Sequence, residues 1–308
     1  MDVRQLQAFL RIAELGSFAR AVAVLNQTQP TLSRQIAALE AEVGAPLLAR
    51  HRHGVTLTDA GVLFRARAVQ ALRVLEEARG EISAHAQAPS GTVSLGLPPS
   101  LLTVMSGPLV QRFARDYPGV LLHVHEAISQ GLEDMMRSGA ADLAVLIADR
   151  RVLRNVTLTP LASEPLMLAG PRSSGLRADR PVAIERLAGQ PLLTFRPPNY
   201  LRLLAETALR KRGLAFNVAV ELETLPLMID LIERGAGYTL LPPSGLALAR
   251  SRIAAAPVRG LDVTWTLAVN RARAGQPAVT ALAAMIREHA NALTKSGHWQ
   301  SVKPARRR

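Results

Sequence analysis

The chain has 308 residues, 48% of them hydrophobic, which is enough for two or three domains with their own cores. It carries no cysteine, which removes disulfides, thiolate catalysis and zinc–thiolate sites together and fits a reducing cytosol. The formal net charge of +13 suits a polyanionic partner, but residues 1–88 hold ten Arg against eight Asp or Glu, so the excess lies further on and does not locate a nucleic-acid surface.

Leu6, Phe9, Leu10 and Ala13 predict an opening helix with one apolar side. Phe18, Ala21, Val22 and Leu25 then recur on one helical face, and Leu32, Ile36, Leu39 and Val43 on another, so two short helices can bury each other. Ser17 is the expected N-cap of the first, Asn26 to Gln29 the turn, and Pro30 suits the first turn of the second. Gln29, Thr31, Ser33, Arg34 and Gln35 face outward at that start, a set able to fork onto guanine, pair with adenine or steady phosphate oxygens. An ordinary amphipathic helix pair shows the same periodicity. Residues 49–57 place Arg50, His51, Arg52 and His53 just before Gly54, a basic hairpin tip flanked by short strands; a His-x-His metal site there lacks a third ligand. From Asp59 to Ala88 a helix of roughly 30 residues, about 45 Å long, is predicted, with Ala68, Leu72, Leu75 and Ile82 on a seam that Arg79 interrupts. It is too long for one small domain and reads as a linker pairing with its counterpart in a second subunit, the alternative being a helix packed on its own chain.

Ala88-Pro89-Ser90-Gly91 breaks that helix, and strands then alternate with helices. Strands are expected around 93–97, 120–124 and 143–147, with helices at 101–117 and 131–138 between them. A second set begins near Pro165, with strands around 192–195, 216–220 and 238–241 and helices at 200–212 and 226–234. Val263 to Val269 alternate in a further strand, and a last helix covers about 277–293. Ligands of open α/β sheets sit beyond the carboxyl ends of strands, here 98–100, 126–129, 195–199 and 222–224. Ser100, Ser129, Thr194 and Asn199 are candidates to orient a small molecule, with Arg196 as a carboxylate partner; the plainer alternative is that they are helix caps. No nucleophile elbow, phosphate loop or full dinucleotide fingerprint appears, His123 and His125 read as structural, and neither a cofactor nor a metal is expected. No run approaches the roughly 18 apolar residues of a membrane span. Met1-Asp2-Val3-Arg4 is not a secretory signal, so a cytoplasmic address follows. The acid-free tail from Lys295 to Arg308 is expected to be solvated and disordered at its end.

Leu6, Phe9, Gly16-Ser17-Phe18, Gln29-Pro30-x-Leu32-Ser33-x-x-Ile36, Leu39-Glu40 and Leu57-Thr58-x-Ala60-Gly61 together resemble the N-terminal domain of LysR-type transcriptional regulators. The match departs at Leu48, usually aromatic in that family, and at Ala49, often acidic. The resemblance implies an α+β multidomain chain: a winged helix-turn-helix over 1–58, a linker helix over 59–88, and over 89–294 a two-lobed α/β effector domain of periplasmic-binding-protein type. Lobe I would be about 91–160 with 266–294 and lobe II about 161–265, followed by a basic tail over 295–308. It implies DNA contacts by Gln29, Pro30, Thr31, Ser33, Arg34, Gln35 and, from a wing on the backbone or in the minor groove, Arg50, Arg52 and His53. Ser100, Leu101, Ile128 and Ser129 match its effector loops by position, with Thr194, Arg196 and Asn199 from the second half. A homotetramer, built as a dimer of dimers on double-stranded promoter DNA and touching RNA polymerase, is the family habit. Leu97-Pro98-Pro99-Ser100 and Gly297-His298-Trp299-Gln300 are similar to the nitrogen-assimilation subgroup, in which a small effector is not always required, so control by abundance is the alternative. The alternative of another class is a solute-binding or enzymatic α/β protein with an incidental helical start.

Overall fold

The computed structural model describes residues 1–52, 54–83, 89–147, 155–247, 249, 253–297, 299 and 303–304. The chain divides into an N-terminal and a C-terminal unit, the change falling at residues 87–88.

In the N-terminal unit, α1 (Val3–Leu15) opens on a capping box in which the Asp2 carboxylate accepts from Gln5 N–H and the Gln5 side chain accepts from Asp2 N–H. Its buried stripe is Leu6, Ala8, Phe9 and Ile12, with the expected Leu10 and Ala13 only half-buried. The stripe is rotated because α1 is packed by three helices at once, which leaves Phe9 and Ile12 wholly buried. Helix α2 (Phe18–Leu25) is capped by Ser17 as expected and ends at Asn26 in the left-handed region, φ 51°. Helix α3 (Gln29–Val43) buries Leu32, Ile36 and Leu39, while Val43 in its last turn is exposed. Each such apolar side chain contributes about 1.5–3 kcal/mol on burial, which is what holds helices too short to persist alone.

The basic hairpin forms as β1 (Leu48–His51) and β2 (Gly54–Leu57), antiparallel with His51 opposite Gly54. His53, at its tip, lies outside the described residues. Gly54 sits at φ 137°, and a Cβ there would meet the Gly16 carbonyl oxygen at 2.5 Å; the next N–H, of Val55, donates to that same oxygen at 2.9 Å. Glu40 Oε1 accepts from the N–H groups of Leu47 and Leu48 at 2.7 and 3.0 Å, tying α3 to the first strand. Helix α4 (Asp59–Ser83) begins after Thr58, whose hydroxyl donates to the Pro46 carbonyl and accepts from Gly61 N–H. Ala68 is buried and Leu72 half-buried against the core, whereas Val62, Leu63, Val74 and Leu75 are exposed. The side chains of Arg79 and Ile82 on the expected seam, and residues 84–88, lie outside those described.

The C-terminal unit is built on a seven-stranded mixed sheet. Strand β3 (Gly91–Leu97) lies parallel between β4 (Val120–Glu126) and β5 (Leu143–Leu146), with the short α5 (Pro99–Leu101) running through a π-turn at Leu102–Ser106 into α6 (Gly107–Asp116), and α7 (Ser129–Ser138) leading on to β5. The second half contains β7 (Leu192–Phe195) parallel to β8 (Val218–Leu222), with α8 (Tyr200–Arg210) and α9 (Leu225–Glu233) beside them, then β9 (Thr239–Leu241). Two long antiparallel strands join the halves: β6 (Val156–Pro171) and β10 (Ile253–Asn270). Strand β10 pairs with β5 at one end and follows β6 along its length, with register shifts between Pro257 and Asp262 and between Trp265 and Thr266. Helix α10 (Pro277–Ser296) packs against α6 and β3. A buried ion pair pins this side: Asp142 accepts from Ser94 N–H at 2.8 Å and from Arg273 Nε at 2.7 Å.

The expectation of a solvated tail is corrected. Trp299 is fully buried in the main core, and β11 (Lys303–Pro304) pairs with β6 at Ser163 and Ala162, because the edge of that long strand offers unpaired backbone groups. Residues 305–308 lie outside those described.

Gly61→Ala would place a Cβ 2.0 Å from the Leu47 carbonyl oxygen. It should destabilise the N-terminal unit by about 1–3 kcal/mol. The loss is read as an earlier melt in helical circular dichroism, with the tryptophan fluorescence transition unmoved, since both tryptophans, Trp265 and Trp299, lie in the C-terminal unit.

Candidate functional site

At the start of α3, Gln29, Pro30 and Arg34 are exposed, and Thr31, Ser33 and Gln35 are half-buried. Thr28 precedes the helix without making a side-chain capping bond; its hydroxyl instead pairs with that of Thr31 at 2.8 Å. Arg34 Nε reaches back toward the Pro30 carbonyl at 3.4 Å, a long contact that leaves the fork of the guanidinium directed outward. Gln35 is turned partly inward, its Oε1 enclosed and without a partner among the described residues. In the hairpin, Arg50 and Arg52 are exposed, and the Arg50 guanidinium stacks 4.3 Å over the Phe18 ring. The two basic elements are therefore fixed to one small core: α3 by Leu32, Ile36 and Leu39, the hairpin by Leu48, Val55 and the Gly16 contact. The N-terminal unit thus carries exposed forked and neutral hydrogen-bond donors at the start of α3 and a cationic hairpin on the same core, chemistry suited to base edges and phosphates.

The residues proposed from strand ends in the C-terminal unit separate into groups. Ser100 is buried, and Gly245 approaches so closely that a Cβ on it would lie 3.1 Å from Ser100 Oγ. Leu101 is wholly buried in the core and its N–H is taken by the Pro98 carbonyl, so it presents nothing to a ligand. Ile128 and Ser129 are half-buried at the start of α7. Thr194 and Asn199 come together in a small cavity of the second half, with Arg202, Phe216 and Thr239 also in its wall. Asn199 is an N-cap, its side-chain oxygen accepting from Arg202 N–H at 3.1 Å, the plainer role that its position allowed. Arg196 is exposed and already paired with Glu223 at 3.0 Å.

Sequence reasoning passed over Arg202 and Glu164. Arg202 is nearly buried and bonds Glu206 and Glu221, each at 2.6 Å; burial works against its charge, but the two carboxylates outweigh it and raise its pKa. The spacing of Arg202 to Glu206, four residues along α8, was the only signal available. Glu164 is fully buried and accepts from Ser244 N–H at 3.0 Å, Ser244 Oγ at 2.7 Å and Trp265 Nε1. The Trp299 indole N–H falls outside hydrogen-bonding geometry but also favours the ionised form. Burial nevertheless dominates and raises the Glu164 pKa above the ordinary carboxylate range. His123 and His125 meet edge to face on β4 with centroids 6.3 Å apart, and no cluster of metal-ligating side chains occurs among the described residues.

Comparison with known proteins places these surfaces in context. Residues 3–62 match the bacterial regulatory helix-turn-helix protein, lysR family, and residues 86–291 match the LysR substrate binding domain. The chain is 32% identical to the HTH-type transcriptional regulator BbuR of Bordetella bronchiseptica over 97% of its length and 93% of that protein. It is also 32% identical to the nitrogen assimilation regulatory protein nac of Klebsiella aerogenes over 83% of the chain and 82% of that protein. Full-length CbnR, solved with its target DNA, superposes with a TM-score of 0.66 at 22% identity, covering 94% of this chain and 100% of that one. The equal identity to BbuR and to nac does not single out the nitrogen-assimilation subgroup.

Because the folded state holds the Glu164 proton more tightly than the unfolded chain, its contribution to stability is complete below the unfolded value of about 4.3 and is lost as pH rises through the raised folded value. Relative to Glu164→Gln, the wild-type protein should therefore lose melting temperature as pH is raised from about 4.3 and then level off. Melts followed by tryptophan fluorescence across that range check the sign; a wild-type gain would mean that the donors outweigh burial.

Proposed function

The chain belongs to the LysR family of DNA-binding transcriptional regulators and is not an enzyme, and on that premise we propose that it reads promoter DNA with Gln29, Pro30, Thr31, Ser33, Arg34 and Gln35 of α3 while Arg50, Arg52 and His53 of the hairpin hold the backbone or minor groove. The observation that carries this reading is the exposed polar start of α3 together with a basic hairpin fastened to the same core. In it, residues 1–58 form the DNA-reading head, 59–88 the linker and 89–294 the effector domain, onto which Trp299 and β11 of the basic segment 295–308 pack. The exposed Val62, Leu63, Val74 and Leu75 on α4 support pairing of that helix with a second copy. Two heads per dimer then read a roughly palindromic site, and two dimers make a tetramer. The protein works in the cytoplasm, where promoter DNA and RNA polymerase are found, and contacts the polymerase at the promoter.

The effector domain senses a small molecule near Ser100, Ile128 and Ser129, with Thr194 and Asn199 contributing from the second half. An effector that prefers one spacing of the cleft walls shifts the oligomer toward it and so changes how the heads sit on DNA. One observation favours the second reading, control by abundance: Ser100 is buried beneath Gly245, leaving little open volume at that point.

Selection of bound fragments from the source genome by the purified protein, at a stated salt concentration, tests the reading. Enrichment of a few promoters sharing an interrupted palindrome is expected, and salt-sensitive binding with no preferred sequence would overturn it. Arg34→Ala should weaken binding to the selected site by about 1–3 kcal/mol and relax its sequence preference. Binding isotherms on matched and single-base-changed sites measure both effects. Unaltered affinity and preference would remove Arg34 from the reading face.

A further inference from the structure

Glu164 is a buried carboxylate with no part in the proposed function, and it bonds two elements far apart in sequence, the turn at Ser244 and β10 at Trp265. Both of its oxygens take hydrogen bonds from Ser244, the backbone N–H on Oε1 and the hydroxyl on Oε2, a grip on the short turn Pro243–Leu246. The residue after Ser244 is Gly245, the one seated against Ser100, and the turn as a whole packs on α5. On its other side Oε2 takes the indole N–H of Trp265, which lies on β10 between the two register shifts where that strand passes from the second half toward β5. A carboxylate can accept from both elements at once. A neutral amide has one accepting oxygen, and its NH2 would be turned on a donor.

We infer that Glu164 is a positioning residue for the cleft: by gripping Ser244 and Trp265 together it sets how closely Gly245 sits on Ser100 and ties that spacing to the bend of the long crossing strands. The regulatory consequence rests on the reading of Ser100 as part of the effector cleft; the grip itself does not. Burying an ion among neutral donors is unfavourable unless every lone pair is engaged, which fits a group whose geometry is fixed rather than one that packs a core.

The chain has no native cysteine, so Ser100→Cys with Gly245→Cys creates a single thiol pair. A Cβ at position 245 would stand 3.1 Å from the position of Ser100 Oγ, close enough for the two sulfurs to meet. The pair should oxidise readily in the full-length protein when oxidised dithiothreitol is added as the two-electron acceptor. Adding Glu164→Gln should slow disulfide formation about tenfold, the factor expected when one hydrogen bond to a charged group is lost. Adding Ser244→Ala in its place removes the hydroxyl bond but keeps the backbone one and should give a smaller slowing. Should Glu164→Gln fail to fold, which the emission of Trp265 and Trp299 reports, the Ser244→Ala comparison carries the test alone. Equal rates in the altered and unaltered backgrounds would overturn the inference. The oxidised and reduced forms are then compared on a promoter fragment selected as above. Slowed oxidation with DNA affinity insensitive to the lock leaves the grip standing and removes the cleft from regulation. Unslowed oxidation with DNA affinity changed by the lock does the reverse.

Discussion

The C-terminal unit depends on the antiparallel ladder between β6 and β10, two strands long enough to belong to both halves. Everything that could change the spacing of those halves must bend or shear this ladder, because β10 is bonded to β5 on one side and β6 to β9 and β11 on the other. The two register shifts are where the ladder yields, since an unpaired residue there lets a strand bend without breaking its neighbours' bonds. Glu164 and Trp265 lie between those shifts, and the buried Asp142–Arg273 pair stiffens the sheet beyond them. A bend confined to one zone, with stiff sheet on either side, is a means of turning a small displacement into a two-position motion.

How legible this was in one dimension depended on the range of the forces involved. The helices of the N-terminal unit were readable because periodicity, the Ser17 cap and Pro30 are local, and the same stripes that mark them also form the core. The stripe of α1 was misplaced toward Leu10 and Ala13, because which face of a helix is innermost is decided by its partners and not by its own spacing. The crossing strands were seen only in part. Pro257 and Gly260 interrupt the alternation of β10, so that only Val263 to Val269 read as strand, yet the interruption is a bulge inside a continuous element. Strand β6 mixes Thr157, Thr159 and Ser163 with apolar residues and shows no clean period because it borders two environments.

Of the candidate site, the exposure of Gln29, Pro30 and Arg34 on α3 and of Arg50 and Arg52 on the hairpin was legible from the buried stripe opposite, whereas Gln35, also expected to face outward, is turned partly inward. The contacts of Glu164 were not legible. They join it to Ser244, eighty residues on, and to Trp265, 101 residues on, and no local pattern announces a pairing at such separation. Trp299 was read as part of a solvated tail because the composition around it is basic, but a single large side chain with a vacancy to fill outweighs the polarity of its neighbours.

The contact between Gly54 and the Gly16 carbonyl has a consequence for kinetics as well as for shape. With the Val55 N–H donated to the same oxygen and Arg50 laid on Phe18, both strands of the hairpin are anchored to the helical core. Little conformational entropy is then lost when it meets a duplex. On the proposed reading, the spacing from α3 to the hairpin would then act as a fixed ruler, and a duplex whose groove width does not match it would bind less well whatever its bases.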